Sequence, residues 1–220
     1  MLRTITSLAL VLATLCAFAE LDAESLREQI ASRFGSGRIA LLNEWLTTLN
    51  TARARNEETR LRQINDFVNR HITFDDDISV WDRSDYWATP LETIGQGRGD
   101  CEDFSILKYI SLRQAGVPAS KLRLIYVKAQ LNTLDGGTTQ VAHMVLAYYA
   151  TPNAEPLILD NLDRSIRPAS QRNDLSPVFS FNSEGIFAGV SGKDPATAGG
   201  IGRLSRWEDA LRRIRGEGFE

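Results

Sequence analysis

The chain has 220 residues, 43% hydrophobic and 24% charged, the balance of a water-soluble domain able to bury a core without disulfide or metal staples. With 25 basic against 28 acidic residues the formal charge is −3, which gives no electrostatic footprint for nucleic acid. Two cysteines and two histidines exclude zinc fingers, haem-attachment motifs and disulfide scaffolds.

Residues 1–19 carry one basic residue, Arg3, an apolar run from Ile5 to Leu15, and an Ala17-Phe18-Ala19 ending. This is the pattern of a secretory signal peptide cut before Glu20, leaving residues 20–220 as the exported domain. Cys16 goes with the signal, so Cys101 is left alone in a compartment where disulfides persist. An unpaired thiol there is oxidised unless it is deeply buried or at work.

The four-residue spacing of Leu26, Ile30 and Phe34 predicts a helix over residues 20–34. A second, over 38–49, places Ile39, Leu42, Trp45, Leu46 and Leu49 on one face. A third follows Asn56 as N-cap, with Glu57 and Glu58 in its first turn and a stripe of Leu61, Ile64, Phe67 and Val68. Between His71 and Gly99 the period fails. There the Asp75-Asp76-Asp77 run reads as a solvated turn, with an auxiliary metal role as the lesser reading, Trp81 and Trp87 as core or cleft-wall residues, and Gly95, Gly97 and Gly99 as a loop that a substrate backbone could approach. Residues 101–115 are apolar on nearly every face, which marks a central, buried helix, stopped by Gly116 and Pro118. Strands are predicted over 122–130, 139–149 and 156–162, the first pair turned by Asp135-Gly136-Gly137. Two more fall around 178–181 and 185–190, and a last helix over 204–214. Helices first and strands later is an α+β pattern in one domain.

Cys101 stands where a glycine-rich loop enters the buried helix, and the positive end of a helix favours the thiolate. A small buried core cysteine is the competing reading. His143 shares a strand face with Val141 and Val145, as either a satisfied core residue or a general base. If the turn after that strand is centred at 151–153, residue 160 falls opposite 142–146. Asp160 then shares the face of His143 and orients its ring, with Asp163 as nearest competitor. His71, at a helix end, has no catalytic role in this reading.

The segments Trp81-Asp82-Arg83-Ser84-Asp85-Tyr86-Trp87-Ala88-Thr89-Pro90, Gly99-Asp100-Cys101-Glu102-Asp103-Phe104, His143-Met144-Val145-Leu146 and Leu159-Asp160-Asn161 resemble those of the bacterial transglutaminase-like cysteine proteases. The resemblance spans nearly all of the exported chain and is densest over residues 65–162. It implies a papain/transglutaminase-like fold: N-terminal helices and a central nucleophile-bearing helix packed on an antiparallel sheet, with Cys101, His143 and Asp160 as the triad. It also implies a periplasmic, calcium-dependent endopeptidase that cuts a large surface adhesin near its N-terminus after paired alanines, and so controls biofilm attachment. The implied partner is the periplasmic domain of an inner-membrane cyclic-di-GMP receptor, for which the Trp81–Trp87 aromatics are candidate contacts. A transglutaminase, a peptidoglycan-directed cysteine hydrolase and a non-catalytic binding module of the same fold are the rivals.

The residues themselves speak for the cation. Asp100, Glu102 and Asp103 place three carboxylates around the nucleophile. Helix capping accounts for one or two of them, and all three would raise the thiol pKa against the needs of catalysis. A bound cation resolves the conflict, and an all-oxygen set outside the cytoplasm selects Ca2+. Asp103 has a competing use as acceptor for a loop amide.

Overall fold

The computed structural model describes residues 21–188 and 201–219; the predicted signal peptide and the end of the strand expected over 185–190 lie outside the described residues. Three helices come first, α1 (Ala23–Phe34), α2 (Ile39–Arg53) and α3 (Glu57–His71). Asn56 caps α3 as expected, its side chain accepting from the Thr59 amide at 2.9 Å. Helix α2 runs a turn past its expected end because Ala52 extends the buried stripe and Arg53 Nε donates to the Gln114 carbonyl at 2.7 Å.

The stretch expected as loop is structured. It holds β1 (Thr73–Phe74), α4 (Asp77–Trp81), α5 (Pro90–Gln96) and β2 (Arg98–Gly99). Helix α5 is short and buried almost throughout, so no amphipathic period reveals it, yet it carries a full capping box. The Thr89 side chain accepts from the Glu92 amide and the Glu92 carboxylate accepts from the Thr89 amide, with Pro90 in the first turn. The glycines serve packing rather than substrate approach. A Cβ at Gly95 would enter the Phe34 ring, Gly97 ends α5 in the left-handed region at φ 68°, and a Cβ at Gly99 would strike the Asp103 carboxylate.

Helix α6 (Cys101–Gln114) buries every residue except Glu102 and Arg113. It lies against a six-stranded antiparallel sheet of β3 (Leu122–Asn132), β4 (Thr138–Tyr148), β5 (Leu157–Leu159), β6 (Arg167–Pro168), β7 (Leu175–Asn182) and β8 (Gly185–Ala188), in the order β6-β5-β4-β3-β7-β8. Alternation splits the two long strands. Leu124, Tyr126, Met144, Leu146 and Tyr148 join the main core with α6 and the N-terminal helices, while Ile125, Val127, Val145, Ala147 and Tyr149 form a second cluster with Ile158. Trp87 is buried in the main core and stacks on Phe181 at 5.6 Å, which removes it from the candidate partner contacts. Among the described residues no helix is long and apolar enough to cross a membrane.

The last helix, α7 (Ile201–Gly216), is tied to the segment before the nucleophile. Arg213 donates to Glu92 at 2.6 Å, to the Tyr86 hydroxyl at 3.0 Å and to the Trp87 carbonyl at 2.6 Å. Arg33 also holds Glu92, at 2.9 Å, so the carboxylate keeps one partner when the other is removed. Arg213→Ala should cost about 2–3 kcal/mol, below the full penalty for stranding a buried charge. In a domain of this size that lowers the melting midpoint by roughly 5–10 °C; a variant melting with the wild type would show that Arg33 suffices.

Candidate active site

Strand β5 pairs with β4 only as far as Leu146↔Leu159. One step further in this register sets residue 160 opposite 145, inside the window expected from the sequence, so Asp160 and His143 meet on one sheet face. His143 Nε2 and Asp160 Oδ1 are 2.8 Å apart, both groups buried. Asp163, the competitor, is turned outward to Arg167 at 2.7 Å. With Asp160 on Nε2, Nδ1 is the ring nitrogen left for a thiol.

Where β5 ends, helix α6 takes its place beside β4. The Met144 amide donates to the Cys101 sulfur, and the Met144 carbonyl accepts from Ser105 Oγ at 3.1 Å. Both groups of one strand residue point the same way, so the helix replaces a missing strand partner and sets the nucleophile beside the residue that follows His143. Lys108 completes this helix face, as positions 101, 105 and 108 lie one above another. Its Nζ donates to the Asp160 carbonyl at 2.9 Å, and Asn69 Nδ2 donates to the same oxygen at 2.8 Å. Burial lowers the Lys108 ammonium to about 7, against the pull of Asp160. The sequence reading saw α6 as a buried helix but not this lysine, whose signal was a charge at position 108 in an otherwise apolar stretch.

The nucleophile end is dense with acid. Asp100 caps α6, accepting from the Glu102 and Asp103 amides at 3.1 and 3.4 Å. Cys101 Sγ lies 2.7 Å from Glu102 Oε2. Burial first, then the Glu102 and Asp100 charges, push the thiol well above its ordinary range, opposed by the Met144 amide. Asp103 is fully buried; its Oδ1 accepts from the Ala88 amide at 2.8 Å, while Oδ2 has no partner. Both uses foreseen for Asp103 are therefore open to it, one per oxygen.

Asp77 is the residue that sequence reasoning ranked low. Instead of a solvated turn it begins α4, and it is buried. Parallel pairing of β1 with β2 (Thr73↔Arg98, Phe74↔Gly99) carries this segment back beside the nucleophile loop. The Tyr86 amide donates to Asp77 Oδ2 at 2.5 Å, and Oδ1 is buried without a partner. One carboxylate oxygen from each of Asp77, Asp100 and Asp103 lies within 4.8 Å of the others, while Glu102 groups with Asp100 and the thiol. Burial and mutual repulsion raise Asp77 to about 6 and Asp100 to about 10, and push Asp103 up as well. Two buried carboxylate oxygens without partners, on residues of an all-oxygen cluster, fit a hard cation such as Ca2+, with the remaining ligands coming from backbone or water.

His71 faces away from this chemistry, paired with Glu44 at 3.0 Å and stacked on Phe67. Asp75 pairs with Arg98 at 2.9 Å.

A carboxyl raised in the folded state stabilises the fold below its unfolded pKa and loses that contribution as pH rises through the folded value. For Asp77 the window runs from 3.8 to about 6, and for Asp100 it extends to about 10. The cation-free protein should therefore melt at falling temperature as pH rises from 5 to 8, the cation-loaded protein much less so. Thermal melts in chelator and in saturating cation check this; parallel curves would show that the acids bind no ion.

A family model described as bacterial transglutaminase-like cysteine proteinase, BTLCP, matches residues 44–174. Solved structures of Legionella pneumophila LapG are 34% identical over 87% of this chain and 97% of their own, with TM-scores of 0.69 and, for an EGTA-treated form, 0.71. A calcium-bound form of the same protein gives 34% identity, 87% and 98% coverage and a TM-score of 0.71. No curated protein matches. Matched by the family model over most of its length and by LapG over nearly all of it, the chain belongs to the bacterial transglutaminase-like cysteine proteinases and is a cysteine protease.

Proposed function

We propose that this protein is a calcium-dependent periplasmic endopeptidase that cuts a large LapA-like adhesin near its N-terminus after paired alanines, under the control of a LapD-like receptor domain. The buried His143–Asp160 pair at 2.8 Å, on the strand whose Met144 amide reaches Cys101, is the observation that carries the reading. Relatives solved in calcium-bound and EGTA-treated forms support the metal. The adhesin, the receptor and the compartment rest on the family resemblance and on the signal-like residues 1–19.

In the mechanism the Cys101 thiolate attacks the carbonyl carbon of the scissile peptide, and the imidazolium of His143 holds the thiol proton. His143 passes that proton to the departing amine as the C–N bond breaks, leaving a thioester on Cys101. Water then attacks the thioester with His143 as base, freeing the new carboxylate and regenerating the thiol. Asp160 keeps the ring in one tautomer throughout. A calcium ion held by Asp77, Asp100 and Asp103, with Glu102 in reach, supplies positive charge that offsets the acids beside the thiol.

Cys101→Ala and His143→Ala should each abolish cleavage of a double-alanine adhesin fragment, without adding when combined. Asp160→Asn should be less severe, because an amide still orients the ring. Full activity of Cys101→Ala with the fold intact would sink the assignment.

Chelation should stop proteolysis, and calcium rather than magnesium should restore it, since the smaller ion holds its own water and fits a loose carboxylate cage poorly. Asp77→Asn should raise the calcium needed for half-maximal activity by at least tenfold and reduce the calcium-induced rise in melting temperature. Unchanged calcium dependence in that variant would return Asp77 to a purely structural role. A purified LapD-like periplasmic domain should bind the protein and inhibit cleavage; binding that survives substitution of Trp81 removes that residue from the interface.

A further inference from the structure

Asp160 carries a partner beyond histidine. Arg172 follows β6 and is 4% exposed. Its Nη2 donates to Asp160 Oδ2 at 2.7 Å and to Asp174 Oδ2 at 2.8 Å, and its Nε donates to Asp174 Oδ1 at 2.9 Å. On the other oxygen, Asp160 Oδ1 takes His143 together with the amides of Asn161 and Leu162, at 2.6 and 3.1 Å. Each carboxylate oxygen thus has its own set of donors.

We propose that Arg172 is a positioning residue of the catalytic centre, extending the triad to Cys101–His143–Asp160–Arg172. This rests on the triad reading above and deepens it. Transfer of the thiol proton to His143 separates charge in a buried place; the Asp160 carboxylate stabilises the imidazolium, and Arg172, itself shared with Asp174, offsets part of that carboxylate's charge. Seen from His143, an aspartate neutralised by Arg172 resembles the asparagine that completes other cysteine-protease triads. The guanidinium does two things for the ring. It fixes which oxygen of Asp160 faces Nε2, and it restrains the carboxylate from overstabilising the imidazolium.

Packing alone does not account for the arginine. It borders an apolar cavity of about 170 Å3 lined by Ile125, Val127, Val145, Ile158 and Leu175, a setting that an aliphatic side chain would fill. Its Nη1 is buried without a partner, which costs stability, and buried ion pairs are often no better than apolar replacements. Retaining a cation here fits a role in the chemistry of its neighbour. Burial would raise Asp160, but hydrogen bonds from His143 and Arg172 hold its carboxyl well below the usual carboxylate range.

The other charged groups facing this line are Asp100 and Glu102 at Cys101, Lys108 from α6 at the Asp160 carbonyl, Asp174 beside Arg172, and the more distant Asp163, Arg164 and Asp66. Lys108 titrates near 7, so variants are compared both across pH and at a fixed pH well above that value.

The test is the pH profile of kcat/KM on a double-alanine peptide in saturating calcium, for wild type, Arg172→Lys, Arg172→Gln, Asp160→Asn and the double variant Asp160→Asn with Arg172→Gln. Removing a cation raises the pKa of every group that faces it. Arg172→Gln should therefore move the limb set by the His143 imidazolium to higher pH by about one unit, while Arg172→Lys keeps its position. A merely structural arginine would lower the curve without displacing it. The double variant should exceed Asp160→Asn in kcat/KM by at least fivefold, because the single change leaves the guanidinium facing the imidazolium with only the partly exposed Asp174 to offset it. A structural role predicts the reverse order. Should Arg172→Gln fail to fold, the lysine variant and the double variant decide the matter. An unmoved His143 limb, or a double variant no better than Asp160→Asn, overturns the proposal while Cys101→Ala and His143→Ala remain inactive. Activity in those two would instead overturn the triad itself.

Discussion

The site depends on a strand that stops early. Had β5 continued beyond Leu159, it would have paired the amide and carbonyl of Met144 and closed the sheet against α6. Because it ends there, both groups need partners, and the first turn of α6 supplies them through Cys101 and Ser105. One turn further, Lys108 reaches the carbonyl of Asp160, the residue just past the end of β5. A single helix face thus gauges the nucleophile, the strand that carries the base and the loop that carries the carboxylate. The burial of α6 on all sides keeps that gauge rigid.

The same rigidity creates an electrostatic problem at the start of the helix. Asp100, Glu102 and Asp103 enter together because the capping geometry of α6 wants acids in its first turn. Asp77 is delivered to them by the β1–β2 pairing. Burial first, then the Glu102 and Asp100 charges, push the thiol up, and Glu102 is the acceptor nearest its sulfur. The cluster is therefore at odds with a thiolate until positive charge arrives. Helix dipole and Met144 amide act in the right direction, but they are weaker than several unit charges at close range.

Much of this was legible in the residues, and the gaps have physical causes. Periodicity located α1, α2, α3 and α6 because each is long enough to show a buried face. The register estimate for Asp160 succeeded since a short hairpin leaves little freedom in which residues oppose one another. The segment between His71 and Gly99 was opaque for the opposite reason. Two-residue strands and a seven-residue buried helix carry no period, although Thr89-Pro90-Leu91-Glu92 spelled out a capping box. Asp77 was misjudged because three consecutive aspartates look solvated, and only a non-local parallel pairing turns one of them inward. Lys108 and Arg172 were invisible as site residues, since their partners are a main-chain carbonyl and a carboxylate 52 and 12 residues away.

The two ends of the proposed catalytic line handle buried charge in different ways. At the Asp160 end the balancing cation is covalently part of the chain: Arg172 is present whenever the protein is folded, and its own second partner, Asp174, keeps it in place. At the Cys101 end the described residues offer no such cation to the cluster; the acids face one another, with two orphaned oxygens. Only the second arrangement would make the thiol responsive to what the surroundings contain, because under the proposed calcium dependence the offsetting charge comes from solution. An arginine placed beside Asp100 would also relieve the repulsion, but it would make the nucleophile permanently competent. Under the proposed calcium dependence, leaving that charge to a diffusible ion would tie proteolysis to conditions outside the protein, while the His143–Asp160 pair stays set by the fold.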